Sequence, residues 1–425
     1  MSEKSGISSA GPGNAIDVSI VMPCLDEARA LPAAIATAQA ALALLRQRHG
    51  LVGEILIADN GSTDASREIA ERLGARVVPV AERGYGTALM GGFAAARGRY
   101  LVMGDADGSY DFRDAVAMVE SLRAGADLCL GSRFRGAIAR GAMPWKNRYI
   151  GNPVLTGILN LLFRAGVSDA HCGIRALTKG CLKRLRLNGT GMEFASEMII
   201  KAALKGERIA EVPARLSPDL RGRPPHLRPW RDGWRHLRFL LMLSPAWLFA
   251  LPALLLAGGG LALLILAALT RGAAPGFIGN YWIILAGAML GLGHNAALLA
   301  VAAQLYGVRE GYRTAGRGLA RLSRIVSLET MLAAGLAAVL AGLTLLGLVV
   351  GYWSLQGFGP IGSVLPAVLG TSLLVIGTQN ALGGFLLAVL NGNEAAFLRR
   401  PSEPRREPAA IAAEEAGSDA QRPAA

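Results

Sequence analysis

The pattern of hydrophobic and polar residues divides the chain near Leu240. Before this residue, apolar positions alternate with charged ones, as they do in a water-soluble α/β domain. From Leu240 to Gly392, long apolar stretches are interrupted only by short loops. We therefore predict a soluble domain followed by a membrane domain.

The soluble part alternates short apolar runs, typical of strands, with longer amphipathic segments, typical of helices. The predicted strands are residues 18–23, 54–60, 76–80, 100–107 and 127–133. The predicted helices are residues 27–46, 64–73, 86–97 and 114–123. This alternation favours an α/β domain with a mostly parallel sheet covered by helices on both faces.

The apolar part contains segments of at least about 20 residues, the length that spans a bilayer as a helix. The predicted transmembrane helices are residues 247–269, 282–306, 326–352 and 364–390. We expect an all-α membrane domain of four transmembrane helices.

The junction between the two parts predicts an amphipathic helix that lies in the membrane interface. One predicted face carries Trp230, Trp234, Leu237 and Leu241, and the adjacent face carries Arg231, Arg235 and Arg238. The resulting domain boundaries are a disordered leader (1–17), a soluble α/β domain (18–227), the interfacial helix (228–243), a transmembrane domain (244–392) and a disordered cytoplasmic tail (393–425). The leader has no apolar run and does not resemble a signal peptide.

The net charge of +13 favours anionic lipid headgroups over nucleic acid, because the basic residues cluster beside the apolar segments. The loop between the second and third predicted spans is the most basic of the membrane domain, with Arg309, Arg313, Arg317, Arg321 and Arg324. By the positive-inside rule, both termini and the soluble domain are expected to be cytoplasmic. We predict a multi-pass protein of the cell inner (plasma) membrane.

Several kinds of site are disfavoured. The turn after the first predicted strand contains no glycine, which argues against a dinucleotide-binding fingerprint, and there is no GxxxxGK[ST] phosphate loop. The spacing of His171, Cys172 and Cys181 matches no familiar zinc site. We interpret the cysteines as structural.

The most informative motif is Asp105-Ala106-Asp107, which follows an apolar run. Alternate carboxylates at a strand end can reach one divalent cation, and their hard oxygens suit Mg²⁺ or Mn²⁺. Such a cation would bridge the diphosphate of a nucleotide-sugar and neutralise charge on the leaving group. Two solvated loop aspartates are the alternative interpretation, but the position at a predicted strand end favours the metal site.

Together, these and several other segments resemble the family 2 glycosyltransferases of the dolichyl- or polyprenyl-phosphate sugar synthase type. The resemblance covers roughly residues 18–243. Its motifs are VSIVMP (18–23) with Glu27, ADNGSTD (58–64), RGYG (83–86), GDAD (104–107), GSR (131–133), and Asp169, Gly173 and Arg175.

The resemblance implies a GT-A fold and a metal-dependent, inverting transfer of a hexose from a nucleotide-sugar to a polyprenyl phosphate. It places the nucleoside pocket at Pro23, Glu27 and Asp59, and the metal and diphosphate site at Asp105, Ala106 and Asp107. It places the acceptor phosphate at Arg133, assisted by Arg148, and a loop over the diphosphate at Arg221 and Arg223. We expect Asp107 and Arg133 to be the catalytic residues.

Three departures from the family pattern leave the donor open between UDP- and GDP-sugars. Leu25 replaces a frequent tyrosine, Asn60 replaces a frequent aspartate, and Gly108-Ser109 replaces the Leu-Gln of mannosyl-transferring relatives. Two other hypotheses remain: a glycosyltransferase that uses another lipid or glycan acceptor, and a nucleotide-sugar-sensing flippase or transporter. A polysaccharide synthase is less favoured because the chain lacks a QxxRW segment.

Overall fold

The computed structural model describes residues 16–222, 229–270, 279–313 and 327–392. Most of the predicted leader and the whole predicted tail lie outside these ranges. The chain forms two compact units. The first contains Met1–Leu251 and Gly307–Thr314, and the second contains Pro252–Tyr306 and Ala315–Ala425.

A mixed sheet forms the centre of the first unit, and within the described residues it has seven strands in the order β3-β2-β1-β4-β6-β5-β7. The strands are β1 (Val18–Cys24), β2 (Gly53–Asp59), β3 (Arg76–Pro79), β4 (Tyr100–Met103), β5 (Leu128–Ile138), β6 (Arg175–Thr178) and β7 (Ile209–Leu216). Only β6 runs antiparallel to both of its neighbours in this sheet. The predicted fold class, an α/β domain with a mostly parallel sheet, is confirmed.

Helices cover both faces of the sheet. They are α1 (Leu31–His49), α2 (Ser66–Arg72), α3 (Tyr85–Ala95), α4 (Ala115–Arg123), α5 (Asn152–Phe163), α6 (Lys179–Leu185) and α7 (Phe194–Lys205). Because successive side chains of a strand point to opposite faces, Ile20 of β1 joins one core with α1 and α4. Val21 joins the other core with α3 and α7.

The helix predicted to begin at Glu27 begins four residues later, at Leu31. The intervening residues form a loop whose backbone is held by side chains from the next loop. The N–H of Glu27 donates to Ser66 Oγ at 2.9 Å, and the N–H of Ala28 donates to Asp64 Oδ2 at 3.0 Å. These bonds replace the helical ones, and Pro32 then sits in the first turn, where its missing N–H costs nothing.

The apolar part of the chain is helical, as predicted. Among the described residues, four helices are long and apolar enough to span a membrane: Ala246–Leu269, Asn280–Arg309, Leu328–Leu355 and Leu365–Leu390. We label them α9 to α12. The last two pack closely, since a side-chain carbon at Gly335 would lie 2.7 Å from the carbonyl oxygen of Gly377. Small residues permit such backbone approach between membrane helices.

Helix α8 (Pro229–Met242) occupies the segment predicted as interfacial. Leu240 is buried in the same core as Leu159 and Phe163 of α5, so α8 packs against the catalytic domain. Trp234 is 61% exposed. The side chains of Trp230, Arg231 and Arg235 lie outside the described residues, and the interfacial location of α8 stays a prediction.

Candidate functional site

Acidic side chains gather at the carboxyl edge of β1, β2 and β4. These strands are parallel neighbours, and their register pairs Cys24 with Asp59 and Val21 with Met103. The loops that follow them therefore leave the sheet at one edge. Ligands of open α/β sheets bind at this edge.

We call the first group of residues the Asp59 corner; it consists of Asp26, Asp59 and Asn60. Asp59 is 1% exposed. Its carboxylate accepts from the N–H groups of Gly61 at 3.3 Å and Ser62 at 3.1 Å, and from Arg67 Nε at 2.7 Å. Burial alone would raise the pKa of Asp59, but hydrogen bonds from Ser62 and Arg67 hold it below its usual value. The carboxylate thus fixes its own loop.

The predicted donor residues Pro23 and Glu27 lie next to this corner. Pro23 is in β1, paired with Ala58 of β2. The turn between Pro23 and Glu27 passes through Asp26, whose φ is 55°. Asp26 stabilises the turn because its Oδ1 accepts from the N–H of Thr63 at 2.7 Å. The structure brings these residues together, and their contact with a nucleoside stays a prediction.

A chain of hydrogen bonds runs from the Asp59 corner to Asp105. Asn60 Nδ2 donates to the Glu82 carbonyl at 2.7 Å, and Asn60 Oδ1 accepts from the N–H of Gly84 at 2.7 Å. This fixes the start of α3, where the Tyr85 hydroxyl donates to Asp105 Oδ1 at 3.0 Å. The RGYG motif (83–86) includes Tyr85, but Tyr85 was not predicted as a partner of Asp105.

The second group, the Asp105 corner, consists of Asp105, Asp107 and Arg221. The strand predicted to reach Asp107 ends at Met103, because β4 pairs with β6 only as far as that residue. Asp105 and Asp107 therefore lie in the turn beyond the strand. Asp107 is 5% exposed, and its Oδ1 accepts from the N–H of Ser109 at 2.9 Å. Ala106, between the two acids, is buried.

The two acids of this corner influence each other. Burial first, and the Asp107 carboxylate second, raise the pKa of Asp105 to about 6. The 169–173 loop packs against Asp105, since a side-chain carbon at Gly173 would lie 2.5 Å from Asp105 Oδ2. Gly173 is thus required here for close approach.

Arg221 also belongs to this corner. Its guanidinium forms an ion pair with Asp107 Oδ2, and its Nε lies 3.6 Å from Glu27 Oε1. The predicted loop over the diphosphate thus reaches the acidic edge at Arg221. Arg223, the other residue predicted for this loop, lies outside the described residues.

The two residues predicted to bind the acceptor, Arg133 and Arg148, have different surroundings. Arg133, 8% exposed, binds the buried Asp169 with Nε to Oδ2 at 2.7 Å and Nη2 to Oδ1 at 2.8 Å. Although burial would raise the pKa of Asp169, these bonds hold it below its usual value. Arg148 lies in a π-helical turn (Asn147–Gly151) with its guanidinium 5.5 Å from the ring of Tyr149. Asp169 orients Arg133. The family motif includes Asp169, but no role was predicted for it.

An exposed apolar surface next to this region was not predicted. Helix α5 buries Leu159 and Phe163 on one face. The opposite face and the turn before it expose large apolar side chains. These are Trp145 (62%), Tyr149 (67%), Ile150 (53%), Val154 (53%) and Leu161 (60%). A helix that is apolar on its exposed face as well as its buried one is typical of an interaction surface. We call these five residues the α5 apolar face.

The chemistry of the Asp105 corner fits a hard divalent cation. Asp105 and Asp107 offer carboxylate oxygens, the ligands that Mg²⁺ and Mn²⁺ prefer. Within the described residues, no three His, Cys, Asp or Glu side chains gather as a metal cluster. The protein would thus supply two carboxylates, leaving other coordination positions for ligand oxygens.

Comparison with known proteins finds matches to two family models. A family described as "Glycosyl transferase family 2" matches residues 19–186, and one described as "Glycosyltransferase family 2 C-terminal transmembrane region" matches residues 301–391. The second match and the four apolar helices among the described residues mark the chain as a membrane protein.

Three relatives match over different lengths of the chain. The low-salt glycan biosynthesis hexosyltransferase Agl6 of Haloferax volcanii is 36% identical over 380 residues, covering 88% of this chain and 89% of that protein. A dolichyl-phosphate hexose transferase of the same organism is 32% identical over 163 residues, covering 38% of this chain and 68% of its own length. A dolichol-phosphate mannosyltransferase of Pyrococcus furiosus is 26% identical over 211 residues, covering 48% and 58%.

The similarity to Agl6 spans nearly the full length of both proteins. The chain therefore belongs to glycosyltransferase family 2 and is a glycosyltransferase with a C-terminal transmembrane region.

Proposed function

We propose that this enzyme transfers a hexose, with inversion, from a UDP- or GDP-linked donor to a polyprenyl phosphate at the cytoplasmic face of the plasma membrane. The observation that carries the proposal is the presence, on one domain, of an acidic sheet edge and the exposed α5 apolar face. The first suits a nucleotide-sugar and its cation. The second suits a lipid.

On the donor side, Pro23, Glu27 and Asp59 form the nucleoside pocket, and Asp105, Ala106 and Asp107 lie at the diphosphate. Asp105 and Asp107 would hold Mg²⁺ or Mn²⁺. When bound there, the cation screens the negative charge that develops on the leaving nucleoside diphosphate. Tyr85 keeps Asp105 in place through its 3.0 Å hydrogen bond, so the position of this one carboxylate is set before the donor arrives.

On the acceptor side, Arg133 orients the lipid phosphate, with help from Arg148. The bidentate bond to Asp169 fixes the guanidinium plane of Arg133, which prepares it for a directional contact with an anion. A phosphate oxygen is ionised near neutral pH and attacks the anomeric carbon without a strong general base. Positioning and charge screening then supply most of the rate acceleration.

The membrane side of the proposal rests on surface chemistry and topology. The α5 apolar face and the exposed Trp234 of α8 would enter the interface, where aromatic side chains are favoured. Anionic lipids would meet the arginines of the basic loop after the second span. Of these, Arg309 and Arg313 belong to the described residues, while Arg317, Arg321 and Arg324 lie outside them. The relatives named for dolichyl and dolichol phosphate support the same class of acceptor.

The test measures which lipid acceptor the purified full chain uses in lipid nanodiscs. The enzyme is given a panel of radiolabelled UDP- and GDP-sugars with undecaprenyl phosphate, dolichyl phosphate, ceramide or diacylglycerol. We expect label in a lipid product with the polyprenyl phosphates alone. Label on ceramide or diacylglycerol would show that the proposed polyprenyl-phosphate acceptor is wrong. Lipid translocation without any sugar transfer would favour the flippase hypothesis.

A matched pair of variants tests the α5 apolar face in the same assay. Tyr149→Glu with Ile150→Glu places charge on this face and is expected to raise the apparent KM for the lipid acceptor with little change in the KM for the donor. Arg123→Glu, at the end of α4, is the control for added negative charge. An unchanged acceptor KM in the double variant would contradict a role of this face in lipid binding.

A further inference from the structure

The loop after β7 is fastened to the turn that carries the acidic motif. The N–H of Ser217 donates to the carbonyl of Ser109 at 2.8 Å, and the N–H of Leu220 donates to the carbonyl of Asp107 at 3.0 Å. These two bonds bring the following residue, Arg221, to the acids. The position of Arg221 is therefore set by the backbone and not by its side chain alone.

The guanidinium of Arg221 lies between carboxylates of two different loops. It pairs with Asp107 Oδ2 after β4 and has its Nε 3.6 Å from Glu27 Oε1 after β1. The Arg221 side chain is 19% exposed, and that of Asp107 is 7% exposed. Both groups are largely removed from water, so each needs a compensating charge.

We propose that Arg221 is an internal cation that occupies the Asp107 carboxylate in the donor-free enzyme and leaves it when the metal and the nucleotide bind together. This inference rests on the proposed function, because it assumes that Asp107 binds the metal. A divalent cation bound to the Asp107 carboxylate would share the charge of that carboxylate with the Arg221 guanidinium and would be repelled by it. Metal and guanidinium therefore compete for one carboxylate.

This competition affects the binding of the metal ion and of the nucleoside diphosphate differently. A metal ion that binds alone must displace the guanidinium and leave it without its partner, which lowers the apparent metal affinity. A nucleoside diphosphate supplies oxygens that accept the released guanidinium in a bidentate contact. Binding of the metal with the nucleotide is thus favoured over binding of the metal alone, and Arg221 becomes a donor contact after the exchange.

This account predicts opposite signs for two affinities when the charge of Arg221 is removed. Arg221→Gln should bind Mn²⁺ alone roughly tenfold more tightly than the wild type, since the competitor is gone. The same variant should bind UDP in the presence of saturating Mn²⁺ roughly tenfold more weakly, since a charged hydrogen bond to the diphosphate is lost. A residue with a purely structural role would weaken both.

The experiment measures Mn²⁺ binding to the full chain in detergent by electron paramagnetic resonance, and UDP binding by calorimetry. Arg221→Lys keeps the positive charge and is expected to bind Mn²⁺ alone as weakly as the wild type. Arg113→Gln removes an arginine that pairs with Asp111 at the surface, 2.6 Å away, and is the control for loss of charge. An unchanged or weaker Mn²⁺ affinity in Arg221→Gln would overturn the inference.

A further variant separates this inference from the proposed function. Arg221→Gln combined with Asp107→Asn should lose the tight Mn²⁺ binding of the single variant. If Mn²⁺ binds equally well without Asp107, the proposed metal site is wrong. If binding depends on Asp107 but not on the charge at Arg221, the metal site stands and the exchange is wrong.

Discussion

The Asp59 corner and the Asp105 corner lie at the same edge of one sheet, yet the first is held mainly by partners close in sequence and the second mainly by side chains from other elements. Asp59 is bound by two backbone N–H groups of its own loop and by Arg67 of the adjoining helix. Asp105 is bound by the hydroxyl of Tyr85. Asp107 is bound at Oδ1 by the N–H of Ser109 and at Oδ2 by Arg221, which comes from a loop that is distant in sequence.

This difference suggests two roles. Asp59 holds the structure of its loop, whereas the Asp105 corner can exchange a protein partner for a ligand. Local backbone donors cannot leave Asp59 without unfolding its loop, so its carboxylate serves as a permanent part of the scaffold. Side-chain partners from other elements can be replaced by a ligand without loss of the fold. We therefore expect substitutions at the Asp59 corner to cost mainly stability, and those at the Asp105 corner to cost mainly metal binding and turnover.

The largest effect is expected at Asp107. Asp107→Asn should reduce sugar transfer by at least about a thousandfold, because charge neutralisation by a metal is worth several kcal/mol in such a transition state. The unfolding temperature should change little. Asp111→Asn, four residues along the chain and paired with Arg113 and Arg215, is the control for loss of a nearby carboxylate. If Asp107→Asn still transfers sugar at the wild-type rate, the claim that the two corners have different roles is wrong.

Asp59→Asn is the complementary change. It removes the charge that Arg67 and two backbone N–H groups bind, and should lower the free energy of unfolding by about 2 kcal/mol. The KM for the donor should rise because the nucleoside loop loosens, while Mn²⁺ affinity should stay within about twofold. Thermal unfolding and Mn²⁺ titration of the full chain check both parts. A loss of Mn²⁺ binding equal to that of Asp107→Asn would show that the corners act as one.

The loop that packs against Asp105 has its own pH dependence. Burial first, and nearby His236 second, lower the pKa of His171 from 6.5 to about 3. The unfolded chain then takes up a proton near pH 6.5 and the folded one only near pH 3, so lower pH favours unfolding. This contribution to stability is complete above about pH 6.5 and decreases toward pH 3.

His171→Gln isolates that contribution. Between pH 7 and pH 5 the wild type should lose about 1 to 2 kcal/mol of stability from this residue, and the variant should lose correspondingly less. Unfolding temperatures of the full chain at the two pH values check the difference. Equal decreases in both proteins would show that His171 is not held neutral in the folded state.

The smallest effect is expected at Tyr85. Tyr85→Phe removes one hydrogen bond to Asp105 and should weaken Mn²⁺ binding by about 1 kcal/mol, or roughly fivefold. Tyr149→Phe, at a hydroxyl on a side chain that is 67% exposed, is the control. An unchanged Mn²⁺ affinity in Tyr85→Phe would mean that Asp105 is positioned by its backbone alone.

Much of the fold is predictable from the sequence because its signals are local. The apolar run of β1 and the acidic triplet after β4 are contiguous, and their order along the chain implies a shared sheet edge. The lengths of the apolar segments likewise predict the four transmembrane helices confirmed among the described residues.

The missed features depend on contacts between distant residues. The pairing of Arg133 with Asp169 joins residues 36 positions apart, and that of Arg221 with Asp107 joins residues 114 positions apart. The insertion of β6 between β4 and β5 is also non-local. Helix α5 was missed because it is apolar on its exposed face as well as its buried one, so it lacks the polar face that identifies a helix at a protein surface.

The most direct test of the account is the metal dependence of lipid-phosphate glycosylation by the wild type and by Asp107→Asn in one assay. With the accepted donor and undecaprenyl phosphate, the wild type should form labelled lipid with Mg²⁺ or Mn²⁺, stop on chelation and resume when the metal is restored. Asp107→Asn should remain inactive throughout. Transfer by the wild type that persists after chelation, or equal transfer by the variant, would contradict the central claim that the Asp105 corner binds the metal used in catalysis.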